Sequence, residues 1–269
     1  MQSGHLVYHQ STIHYRYGGE GARPLVCFHG YGEASANFDF LEKRLGTDYT
    51  IIAIDLPFHR ETIWNEGVVD IAMLADLVIK LLEHLKIAPA DIHLLGFSLG
   101  GRMALCVLQE LKDRVSKVVL LAPDGLTVNF WYWLSTQTGA GRSLFRLTMS
   151  KPGWFLGMLS VANKIKLLNQ SIYKFVKYYI HDDEVRKELY ERWTGLRNCS
   201  PDTGKVKKLI QQHRIIVHLL YGRHDRIIGH KKGERFLKEL PGCRVEVLNC
   251  GHQVLHEKNI EAIAKALLY

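Results

Sequence analysis

No stretch of the 269-residue chain reaches the roughly eighteen consecutive apolar residues that cross a bilayer. Its opening, MQSGHLVYHQSTIHY, lacks the basic start and apolar core of a secretory leader. A spanning segment and export are not expected, and a cytoplasmic location is. Cysteine is scarce: Cys27, Cys106, Cys199, Cys243 and Cys250 are odd in number and scattered, without the paired spacing of a zinc site or a disulfide framework. Cys27 and Cys106 stand in apolar runs and read as small buried hydrophobes, while Cys250 reads as a strand-end residue filling space beside His252. There is no phosphate-binding glycine loop, no internal repeat, no low-complexity tract and no nucleic-acid motif. Neither a metal nor an organic cofactor is therefore expected, and basicity alone does not argue for a nucleic-acid partner. What remains, 47% apolar and 23% charged residues, is ordinary for a globular protein with one core.

The pattern along the chain sets the fold. Two alternating segments, HLVYHQ and TIHYRYGG, read as antiparallel strands. Apolar, β-branched runs follow at 24–29, 50–54, 92–97, 117–122, 215–221 and 244–248, separated by helix-period segments such as VVDIAMLADLVIKLLEHLK and SLGGRMALCVLQELK. The expectation is an α/β protein: a mostly parallel twisted sheet of about eight strands with helices on both faces, binding ligands outside the carboxyl ends of its strands.

The alternation breaks once, between KVVLLAPDG and RIIVHLLYG, over a span far longer than a crossover needs. This predicts a core of residues 1–125 and 209–269 interrupted by an insertion at 126–208. The insertion holds 14 lysines and arginines against 6 aspartates and glutamates, while the rest of the chain holds 21 of each sign. It also holds four of the five tryptophans, Trp131, Trp133, Trp154 and Trp193. A basic, aromatic segment of this kind suits anionic or bulky apolar substrates, or peripheral contact with a membrane or lipid; equally, its lysines form a solvated helix face and its rings pack inward.

The chemistry-bearing motif is DIHLLGFSLGGRMAL, which sets Ser98 between Gly96 and Gly100 at a strand-to-helix junction. Such a turn lifts the hydroxyl clear of the sheet, but the serine still needs a base, an orienter and oxyanion donors. Asp225, after the strand-like HLLYGRHD, and His252, after RVEVLNCG, complete the order Ser, Asp, His, and PLVCFHGYG ends an earlier strand at His29-Gly30-Tyr31-Gly32. In these four features the chain resembles the α/β-hydrolase superfamily. The resemblance implies a Ser98–His252–Asp225 triad, an oxyanion hole from the main-chain N–H groups of Tyr31 and Leu99, and a helical cap formed by the insertion. It also implies that His29 holds its turn by hydrogen bonds. Asp124, after the strand that precedes the insertion, competes with Asp225 for the acid, since some relatives supply it from there.

Two details stand apart. Where relatives read D-L-P-G-H-G, this chain reads DLPFHRET, with Phe58 and Arg60 at the glycine positions. A different loop path, or bulk near the pocket, is expected. Arg102, four residues after the serine, makes GFSLGGR look like the menaquinone-pathway synthase of this fold, which eliminates pyruvate from a polyanion. His29, Arg102, Asp124 and Trp131 are accordingly the substrate-pocket candidates, with Arg142, Arg146 and Arg197 as further carboxylate binders. The reading is a serine hydrolase, an esterase or thioesterase acting through an acyl-enzyme on a small-molecule ester. The lyase on an anionic substrate is the alternative, and a non-catalytic binding module comes last.

Overall fold

A computed structural model of the chain describes residues 1–269 apart from Val128, Lys166, Leu168, Asn169 and Glu239. Eight strands form one sheet: β1 Gln2–Tyr8, β2 Ser11–Gly18, β3 Arg23–Phe28, β4 Tyr49–Ile54, β5 Ile92–Phe97, β6 Val115–Leu121, β7 Ile216–Gly222 and β8 Arg244–Leu248. Their order is β1-β2-β4-β3-β5-β6-β7-β8. The β1–β2 and β2–β4 pairs are antiparallel and every other pair is parallel. The alternating segments at the amino end therefore make the antiparallel edge, and the continuous apolar runs make the parallel centre. Strands β5 and β7 show why: all six residues of β5 and all but the first of β7 are buried, as strands covered on both faces must be.

The helices are α1 Glu42–Leu45, α2 Ile71–His84, α3 Leu99–Glu110, α4 Phe130–Gln137, α5 Gly139–Ser150, α6 Gly153–Lys164, α7 Gln170–His181, α8 Asp183–Gly195, α9 Thr203–His213, α10 Lys231–Leu237 and α11 Ile260–Leu268. Helix α2 starts where Asp70 caps the amide of Met73 at 2.8 Å, and its Leu74, Leu77, Val78, Leu81 and Leu82 form the buried stripe. Helix α3 is buried from Leu99 to Gln109 and packs with α2, α9, β3 and β5. On the opposite face, α1 and α11 pack together, and the Leu267 carbonyl accepts from Tyr49 Oη at 2.7 Å and Lys117 Nζ at 2.9 Å. Cys27, Cys106 and Cys199 are buried thiols, which burial pushes well up, and no disulfide forms among the described residues.

The chain divides into two compact units, residues 1–127 with 198–269, and residues 128–197. The second is shorter than the insertion expected at 126–208. Residues 198–208 join the sheet unit because Cys199 Sγ meets the Val69 carbonyl, Gln109 Oε1 accepts from the Asp202 amide at 3.0 Å, and α9 packs on α3. The second unit comprises α4 to α8. Its interior is aromatic, with Phe145 against Trp193 and Tyr190, and Tyr132 edge-on to Trp193. Arg186 ties its helices through the carbonyls of Met149 and Ile180, both at 2.8 Å. No helix among the described residues is long and apolar enough to cross a membrane.

Candidate active site

Strand β5 ends at Phe97, and the chain turns directly into α3 through Ser98, whose φ of 50° and ψ of −113° suit glycine rather than an L-residue. The turn is held because the Ser98 amide donates to the Leu121 carbonyl at 2.9 Å and the Ser98 carbonyl accepts from the amides of Gly101 and Asp124, each at 2.9 Å. A Cβ on Gly100 would lie 1.9 Å from the Phe28 carbonyl oxygen and 2.7 Å from that of His29. Only glycine allows this approach, which brings the first turn of α3 against the turn after β3.

The three residues expected to act together do meet. His252 Nε2 lies 3.1 Å from Ser98 Oγ, and His252 Nδ1 lies 2.7 Å from Asp225 Oδ2. The second Asp225 oxygen accepts from the amides of Ile227 at 2.7 Å and Ile228 at 2.9 Å, so a fully buried carboxylate has both oxygens satisfied. An ionised acceptor at Nδ1 puts the ring proton there and leaves the Nε2 lone pair facing the hydroxyl. The loops are locked backbone to backbone: Arg223 N donates to Leu248 O at 2.8 Å, and His224 N to Cys250 O at 3.0 Å. A Cβ on Gly222 would stand 1.9 Å from the Gly251 carbonyl oxygen. His224 points away, onto Asn249 Oδ1 at 3.0 Å.

Asp124 does not reach the histidine. Its carboxylate faces Arg102 Nε at 3.6 Å, and the Arg102 side chain is buried on α3. These two pocket candidates thus engage each other. Trp131, the remaining candidate with His29, is an exposed ring on α4 of the second unit, edge-on to Phe130.

His29 is buried. Its Nε2 accepts from the Leu56 amide at 3.0 Å, which fixes the proton on Nδ1, and Nδ1 donates to the Gly30 carbonyl at 2.8 Å. Tyr31 heads the turn that the Glu33 amide closes on Gly30 O at 3.2 Å. Leu99 opens α3, where an amide has no intrahelical acceptor. Sequence reasoning missed the braces of this turn. Glu33 accepts from the Gly30 amide at 3.2 Å and from Gln253 Nε2 at 3.0 Å, joining the turn to the residue after His252. Asp55 accepts from the Ser35 amide at 2.6 Å and from His14 Nδ1 at 2.8 Å.

The DLPFHRET loop has two residues with positive φ. Phe58 and Arg60 adopt φ values of 66° and 50°, the left-handed conformations that glycine takes without strain. The backbone thus takes glycine-like conformations with bulkier side chains in place. Arg60 uses its side chain to donate to the carbonyls of Gly32 and, at 3.1 Å, Glu33. The departure seen in the sequence marks a clamp on the turn that carries Tyr31.

As for metal ligands, His5, His14 and Glu61 form the one group of such residues with mutually close ligand atoms among the described residues, all within 4.8 Å. His5 and His14 are partners across β1 and β2, at the antiparallel edge of the sheet.

This architecture agrees with the sequence comparisons. Residues 25–266 match the model of the alpha/beta hydrolase family, and the chain belongs to that family. It is 28% identical over 250 residues to YugF, an uncharacterized hydrolase of Bacillus subtilis (strain 168), covering 90% of this chain and 88% of that one. It is 23% identical over 253 residues to the human monoacylglycerol lipase ABHD6, covering 90% of this chain and 73% of the lipase. Among solved structures, a thermophilic esterase from Thermogutta terrifontis superimposes with a TM-score of 0.69 at 18% identity, covering 100% of this chain and 98% of the esterase. Family and relatives together indicate a hydrolase.

Proposed function

We propose that the chain is a serine hydrolase that cleaves a carboxylic ester or thioester through an acyl-enzyme. The observation that carries this reading is the continuous Ser98–His252–Asp225 chain of hydrogen bonds at 3.1 and 2.7 Å. Ser98 Oγ attacks the acyl carbon while its proton passes to His252 Nε2, and Asp225 stabilises the imidazolium so formed. The charge that develops on the carbonyl oxygen falls to the amides of Leu99 and Tyr31, on backbone that Gly100 brings together. The imidazolium then protonates the departing alcohol or thiol, and a water activated by the same histidine releases the acid. A relative named as a monoacylglycerol lipase supports the ester as substrate class.

The pyruvate-eliminating alternative leaned on Arg102, and here that side chain is buried beside Asp124, so no specific observation favours it. A binding module with lost chemistry is disfavoured because all three residues are present and joined. The test is labelling of the pure protein with a fluorophosphonate probe beside hydrolysis of p-nitrophenyl esters. Both are expected in the native protein, neither in Ser98→Ala. Asp225→Asn is expected to lose on the order of 10⁴-fold in kcat, and Asp124→Asn far less. A folded native protein that neither labels nor turns over an ester would overturn the reading.

A further inference from the structure

From Gly125 to His181 the chain contains no aspartate or glutamate, yet it carries seven basic residues. Those described, Arg142, Arg146, Lys151, Lys164, Lys174 and Lys177, are all exposed. The same stretch concentrates exposed large apolar side chains. On α6, Trp154, Met158 and Val161 are 43%, 52% and 59% exposed, and Ile165, which caps the carboxyl end of the helix, is 62% exposed. Their spacing of four, three and four residues makes one stripe along the helix. A helix packed only for stability turns such a stripe inward, and α6 does bury Leu159. Phe130, Trp131 and Trp133 on α4, and Leu144 and Leu147 on α5, add further exposed apolar surface.

We propose that this surface of the second unit docks onto an anionic lipid bilayer. An apolar stripe flanked by lysines, with Trp among its residues, is the arrangement that lies in a membrane interface: rings and aliphatic groups enter the acyl boundary while ammonium groups reach the headgroups. Lys151 and Lys164 stand at the two ends of the α6 stripe. A second copy of the chain fits poorly, because it would oppose the basic residues of the 125–181 stretch, which holds no acidic residue, with others of the same sign. An anionic headgroup layer supplies the missing charge. The inference rests on the residues of this unit and is independent of the hydrolase reading.

The test is flotation of the full chain with vesicles of phosphatidylcholine alone and of phosphatidylcholine mixed with phosphatidylserine, at low and high salt. Binding is expected to the phosphatidylserine vesicles, and to weaken with salt. Lys151→Glu and Lys164→Glu are each expected to weaken it at least about fivefold. Trp154→Ser, a change at a half-exposed side chain, is expected to reduce binding at either salt with its thermal melt unchanged. All three variants should hydrolyse a short soluble ester at the native rate, and Ser98→Ala should still bind vesicles, so the two readings fail separately. The proposal is overturned if the native chain does not bind phosphatidylserine vesicles at low salt, or if these variants bind as it does. It is also overturned if sedimentation shows a dimer that Trp154→Ser dissociates.

Discussion

Replacing Ser98 by glycine tests whether the elbow is strained, with alanine as the control. Both substitutions remove the Oγ–His252 hydrogen bond, so its loss cancels between them. Alanine keeps a Cβ at φ 50° and ψ −113°, a conformation that costs on the order of 1–3 kcal/mol. Glycine adopts it freely but gives up about 0.5–1 kcal/mol through the greater entropy of its unfolded state. Ser98→Gly should therefore be more stable than Ser98→Ala by about 0.5–2 kcal/mol. With an unfolding entropy near 2.1 cal/mol/K per residue, a chain of 269 residues gains about 2 °C of Tm per kcal/mol. The expected difference is then about 1–4 °C in parallel calorimetric scans, with ester turnover lost in both variants. Ser98→Ala melting at or above Ser98→Gly would refute the claim that the turn stores strain. The magnitude involves only backbone strain and backbone entropy and so checks the elbow independently of any substrate.

Two further outcomes follow from residues outside the triad. Arg60→Gly exchanges two exposed hydrogen bonds for relief of a left-handed backbone, so stability should stay within about 1 kcal/mol while kcat for an ester falls up to about tenfold at near-constant KM; an unchanged kcat would show that the clamp does not position the Tyr31 turn. His93 and His218 are buried, and burial first, with Arg23 and Arg244 respectively adding to it, holds each near pH 4 instead of the ordinary 6.5. Because the unfolded chain binds their protons more readily, stability is expected to fall as pH drops from 6.5 toward 4, by as much as about 3 kcal/mol for each group; urea unfolding that gives a flat profile across that window would contradict this.

The legible parts of the sequence were those where one residue type is forced by geometry. Gly100 is required because any Cβ would meet the Phe28 carbonyl, and the largely apolar run IVHLLYG of β7 is required because the strand is covered on both faces. Ser98, Asp225 and His252 could be read because each follows the end of a strand, a place where side chains converge across the sheet. Glu33 and Gln253 could not. Each sits in a loop and acts through a partner more than two hundred residues away or through a backbone amide, and neither contact leaves a periodic trace. The compact second unit ends at Arg197, short of the 126–208 span that separates the flanking strands in the sequence, because α9 buries Val206, Leu209 and Ile210 and belongs to the sheet unit.

The 55–62 loop shows why a departure from a family pattern must be followed into backbone angles before it is given a meaning. From the side chains alone, Phe58 and Arg60 in place of glycines imply either a new path or an obstructed pocket. The angles add that both residues adopt left-handed conformations at a cost, part of which a guanidinium recovers through two carbonyls. Those carbonyls belong to the turn in which the Glu33 carboxylate accepts from the Gly30 amide and His29 Nδ1 donates to the Gly30 carbonyl. Asp55, at the start of the same loop, holds Ser35 and His14. The loop therefore fastens the turn after β3 at several points at once. A rigid turn suits the oxyanion role proposed for the Tyr31 amide, because donors that have to reorganise forfeit much of their electrostatic advantage. On that argument the strain at positions 58 and 60 belongs to the same design as the strain at Ser98.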